Sequence, residues 1–160
     1  MFKVINIIEN TINHFEKIEE DINTQGYFCW GDLDLQINCP GNPDITVFRK
    51  TGVLPAPCDN CYKVCVFWDG TYSEENLRDF FKIVVSFKYI PDGKLNRKVA
   101  LFYFEDLLSL TDFFLYLYHG MRNNRGFLGH IHYRRACEEY ERSCPLQWKN
   151  NNYGKKIKIV

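Results

Sequence analysis

A loop stiffened by Pro55 and Pro57 carries Cys58 and Cys61 and runs straight into the apolar stretch Tyr62-Lys63-Val64-Cys65-Val66-Phe67-Trp68. The prolines fix their own backbone angles and disfavour helix in the residues before them, so the chain must turn here. Beyond the turn, Tyr62, Val64, Val66 and Trp68 alternate with Lys63, Cys65 and Phe67, the period of a strand that is apolar on both sides. Cys65 therefore reads as a small core residue. Cys58 and Cys61 have the spacing at which one metal ion, or one disulfide, takes both sulfurs.

On either side of this stretch the hydrophobic period distinguishes helix from strand. Ile5, Ile8, Ile12, Phe15 and Ile22 follow one helix face and predict a long first helix that stops near Gly26. After it the period falls to two: Leu33, Leu35 and Ile37 alternate with Asp34, Gln36 and Asn38, which puts Cys39 on the inward face at a strand end. Asp32 and Asp34 then belong to the solvated side of that strand. A turn at residues 40–44 leads to a second short strand at residues 45–48.

Thr71-Tyr72-Ser73-Glu74 has the form of a helix cap, and Leu77, Phe80, Phe81 and Val84 make the stripe that follows. Residues 99–104 suit a buried strand or the start of a buried helix. Leu107, Leu110, Phe114, Leu117 and Tyr118 predict a central helix that ends at His119-Gly120. A last helix is expected from Tyr133 through Cys137, Tyr140 and Cys144, closed by Pro145, with residues 157–160 an edge strand or frayed end. His14 is read as an ordinary helix-flank histidine. No repeat or linker divides the chain, so the expectation is one α+β domain over residues 1–160, mainly an antiparallel sheet packed on one face by helices.

Composition sets the outer limits. At 160 residues with 46% hydrophobic content, including 13 Phe and 10 Tyr, the chain can bury a substantial core without crosslinks. Lys plus Arg equals Asp plus Glu at 20 each, so no general nucleic-acid or anionic-lipid binding is expected, and any such contact must be local. The longest apolar passage, residues 99–118, is interrupted by Glu105, Asp106 and Asp112, which predicts no membrane span. The first ten residues lack the apolar run and cleavage site of a signal peptide, which points to a cytoplasmic chain whose 7 cysteines stay reduced or metal-bound.

Two constellations carry chemistry. In the first, Cys39, Cys58, Cys61 and Cys144 converge on a structural zinc or an iron–sulfur cluster, which needs four ligands; Cys137, His130 and His132 are alternative ligands. Cys39-Pro40 and Cys144-Pro145 resemble the Cys-Pro that ends bacterial ferredoxin motifs, without their run of closely spaced cysteines. A redox role for Cys58 and Cys61 competes, although such pairs usually open a helix, whereas a strand follows here. In the second, the basic cluster of His130, His132, Arg134 and Arg135 recognises an anion, as a ligand-binding domain or enzyme would. The bland alternative pairs the two arginines with Glu138 and Glu139 on a helix surface. Catalytic residues and reaction are not indicated, and an aromatic surface that docks a protein partner or a second copy is a third expectation.

Overall fold

A computed structural model of the chain describes residues 2–31, 44–70, 73–124 and 127–159. Helices α1 (Phe2–Asn13) and α2 (Phe15–Gln25) precede strand β1 (Phe28–Trp30). Helix α3 (Ile45–Thr51) and a single 3-10 turn at Cys58–Asn60 lead into β2 (Tyr62–Trp68), α4 (Glu74–Val85), β3 (Gly93–Leu95) and β4 (Val99–Phe104). The chain continues with α5 (Leu107–Arg122), β5 (Gly129–Arg135), α6 (Glu138–Ser143), α7 (Pro145–Asn150) and β6 (Gly154–Ile159). The six strands form one antiparallel sheet in the order β1-β3-β4-β2-β5-β6. This is a single-sheet α+β architecture, as the alternating periods imply.

Local chemistry accounts for several helix ends. Gly26 closes α2 at φ +80, its amide donating to the Ile22 carbonyl. Ser73 caps α4 by accepting from the Asn76 amide, and Asp106 caps α5 by accepting from the Ser109 amide and hydroxyl. Those bonds to the charged form hold the Asp106 carboxyl below its usual range.

Alternation along the strands gives the sheet two unlike faces. Val64, Val66 and Trp68 of β2, Ala100, Phe102 and Phe104 of β4, and Ile131 of β5 point into the main core, which α4 and α5 supply with Phe80, Phe81, Phe113 and Leu117. Trp30 anchors the β1 side of this core: its ring lies 5.5 Å from that of Phe102 and its Nε1 donates to the Pro91 carbonyl at 2.8 Å. Gly93 makes room for it, since a Cβ there would lie 2.6 Å from the Trp30 ring. A second, smaller core of Phe48, Leu54, Cys58, Tyr140, Cys144 and Trp148 gathers α3, the 3-10 turn, α6 and α7 beside the β5–β6 side of the sheet.

Four expectations change. The long first helix is two, α1 and α2, meeting at His14. Residues 45–48 are the start of α3, where Asp44 accepts from the Val47 amide and Phe48 is fully buried against Tyr140; tertiary burial of Phe48 outweighs the strand preference of Ile, Thr and Val. Residues 129–135 are strand β5, and helix begins only at Glu138. Pro145 does more than end a helix, because it occupies the first turn of α7, where its missing N–H costs nothing. The strand expected at residues 33–37, Asp32, Asp34 and Cys39 lie outside the described residues.

Candidate functional site

The thiols come first, because the 3-10 turn that carries them is fixed by the proline loop. The Asp59 amide donates to the Pro55 carbonyl and the Cys61 amide to the Cys58 carbonyl, and β2 begins at the next residue. No helix follows the pair, so neither thiol sits at a helix N-terminus of the kind that lowers a thiol pKa. Cys58 and Cys144 are both buried in the small core, with Cys137 packed against it and Cys61 half-buried at the turn. The Tyr140 hydroxyl lies beside the Cys58 thiol, fully buried and without a conventional hydrogen-bond partner; burial first, then that thiol, hold its pKa above the ordinary phenol value. Cys65 sits elsewhere, on the second face of β2, where burial pushes its thiol up to about 11 and leaves it protonated and unreactive. Among the described residues no group of three or more His, Cys, Asp or Glu side chains is arranged to hold a metal ion. Cys39, the remaining candidate ligand, lies outside those residues.

The basic cluster is divided by the strand that carries it. Because β5 alternates, His130, His132 and Arg134 face away from the main core, while Arg135 at the strand end turns to the Tyr62 and Tyr153 rings and donates to the Asp59 carbonyl. Arg135 therefore ties the thiol turn to the sheet. Neither arginine makes the helix-surface pairs with Glu138 and Glu139, since both belong to a strand. Arg134 instead donates from Nη2 to Glu141 Oε2 at 2.6 Å and lies over the Trp148 ring, 5.3 Å from its centroid. It is only 7% exposed, and its Nε has no partner.

Arg134 lines a cavity of about 330 Å³ between the sheet and the α6–α7 pair. Phe67, His132 and Lys156 form its floor, and Glu138, Glu141, Arg142 and Trp148 its wall. The His132 Nε2 is buried and without a partner. Burial, aided by the Lys156, Arg134 and His130 charges, pulls the His132 pKa down to about 4, so the ring is neutral at pH 7. His130 sits apart, with Nδ1 3.7 Å from Asp69 Oδ1. Lys156 and Arg142 are invisible to sequence reading as site residues: the first is one of several tail lysines, the second one of a run of helix charges, and only the β5–β6 register and the α6 fold bring them to one cavity.

A sign can be attached to His132. Its folded pKa lies below the ordinary histidine value of about 6.5, so between those values the unfolded chain binds a proton that the folded chain does not. Its contribution to stability is present above pH 6.5 and is lost as pH falls toward 4. In denaturant titrations at pH 7 and pH 4.5, His132→Gln is expected to lose less stability on acidification than wild type; an equal loss would show that His132 titrates normally.

Fold and site together define an antiparallel α+β domain with a polar cavity between the second sheet face and the α6–α7 pair. Searches with the chain match no protein-family model, no curated protein and no solved structure. Among the described residues no helix is long and apolar enough to cross a membrane.

Proposed function

We propose that this domain binds a small oxyanion, a phosphate or carboxylate, in the cavity between β5, β6 and α6–α7. One observation carries it. A buried arginine and a half-buried, neutral histidine each retain a buried guanidinium or ring nitrogen without a partner beside a cavity that Arg142 and Lys156 also line. Buried polar groups normally find partners, so such a pair marks the seat of an absent one. Arginine suits the role because its planar fork matches oxyanions in two-point contact. Glu141 occupies one side of that fork and holds Arg134 in place.

Calorimetric titration with inorganic phosphate tests the reading. Arg142 and Lys156 are the informative positions, since both are exposed and neither holds the fold together. Arg142→Ala and Lys156→Ala are each expected to weaken phosphate binding about tenfold, the worth of one charge-assisted bond, with unchanged melting temperature. Absence of phosphate binding by wild type, or affinities untouched in both variants, would overturn it.

A second reading keeps the cysteines as ligands, with Cys39, Cys58, Cys61 and Cys144 holding zinc or an iron–sulfur cluster. It is favoured by the burial of Cys58 and Cys144 in one small core. Anaerobically purified protein is then expected to carry zinc or iron stoichiometrically and to lose stability in chelator. Protein that is free of both metals would end this reading.

A further inference from the structure

The net charge of zero conceals a segregation. None of the six strands contains an Asp or Glu. Their basic residues are concentrated on the face turned away from the main core. Register fixes the map of that face. Cys29, Lys94, Leu101, Cys65, His132 and Lys156 form one row across all six strands. A flanking row runs Tyr103, Lys63, Arg134, Gly154, and another Val99, Phe67, His130, Lys158.

The helices that close the main core lie on the opposite side. α6 and α7 stand over the β5–β6 side at the cavity; toward β1 the face keeps Lys94, Leu101, Tyr103 and Lys63 half-exposed and Cys29 exposed. Two aromatic rings, Phe67 and Tyr103, are half-exposed among the cations. A third, Tyr27, carries the Lys94 ammonium 4.8 Å from its centroid. Among the described residues, acidic groups near this face include Glu138 and Glu141, which wall the cavity, Asp69 beside His130, and Asp92, whose carbonyl accepts from the Tyr103 amide.

We propose that this face binds single-stranded nucleic acid, with Tyr103 and Phe67 as stacking surfaces, Lys63, Lys94, Lys156 and Lys158 meeting phosphates, and the cavity at Arg134 seating one of them. The inference rests on the anion reading of that cavity and names its ligand class. Charge complementarity selects a polyanion. Rings interleaved with the cations select one whose bases are free to stack, which a duplex is not. From β1 to β6 the face spans about 24 Å at about 4.8 Å per strand, room for the shorter end of the roughly 4–16 nucleotide sites of single-strand-binding folds. An anionic membrane is the poorer fit, since among the described residues the strands of this face present no exposed large apolar side chain.

Fluorescence anisotropy with labelled 12-nucleotide oligouridine and oligothymidine, a duplex of equal length and polyglutamate as competitor tests this. The full chain is expected to bind a single strand, to prefer it to the duplex and to polyglutamate, and to lose affinity steeply between 50 and 200 mM salt. Lys94→Glu and Lys158→Glu, both outside the cavity, are expected to weaken binding about tenfold each, and Tyr103→Leu about fivefold or more, with phosphate titration unaltered. Failure of both oligonucleotides to bind while phosphate still does would overturn this inference and leave the cavity reading intact. Oligonucleotide binding that responds to Lys94 and Tyr103 but not to Arg142 would support the face and overturn the cavity. Equal binding of polyglutamate, with no effect of Tyr103→Leu, would mark an unspecific basic surface and end the proposal.

Discussion

Phe102→Ala is expected to cost about 3–5 kcal/mol, the range for deleting a fully buried aromatic side chain. Phe102 is 0% exposed and stands where the two helical contributions to the main core meet the sheet. Its ring lies 4.7 Å from Phe113 on α5, 5.9 Å from Phe80 on α4 and 5.5 Å from Trp30 on β1. Truncation would leave a hole lined by three rigid rings, which collapse poorly around a void. Against a total stability of about 5–15 kcal/mol for a domain, the variant should melt about 6–20 °C lower. Urea titration should show a lower midpoint at unchanged slope. A loss under 1 kcal/mol would mean that the three rings do not share one packed core.

Arg134→Met separates the structural role of the buried arginine from its anion role. Methionine keeps an aliphatic stem against Trp148 and removes the charge. Glu141 is 50% exposed, so it regains water when the ion pair is lost, and the expected cost is about 1–3 kcal/mol, below that of stranding a fully buried charge. Phosphate affinity is expected to fall more than tenfold, further than in Arg142→Ala. Full phosphate affinity in Arg134→Met would remove the guanidinium from the site. Arg135 is not interchangeable with Arg134 here: its guanidinium is engaged by the Asp59 carbonyl and two tyrosine rings, so its loss is expected to loosen the thiol turn and leave the cavity intact.

Much of the architecture is legible in the residues because period and cap are local. The strand over Tyr62–Trp68 follows from strict alternation, and α4 from the Ser73 cap with Leu77, Phe80, Phe81 and Val84 at helical spacing. The central α5 is equally legible, extending one turn past His119 to Arg122. Local pattern fails at residues 45–48 and 129–135. Ile45-Thr46-Val47-Phe48 is β-prone, but burying Phe48 against Tyr140 and Tyr153 requires a helix there. His130 to Arg135 includes polar residues that fit either period, and pairing with both β2 and β6 makes it a strand.

The sequence by itself determines a ring-rich α+β domain, a rigid proline–thiol turn opening a strand, a buried Cys65, and a basic segment near its C-terminal third. Strand order, and with it the site, depends on contacts between residues far apart in the chain. Inserting β2 between β4 and β5 lines up Lys63 with Arg134 and Cys65 with His132, while β6 brings Lys156 to the same row. Side chains that alternate along one strand look evenly mixed when read in order. Only stacking the strands in register sorts them, gathering Lys63, Lys94, His132, Arg134, Lys156 and Lys158 on one face with Phe67 and Tyr103 among them, opposite the main core.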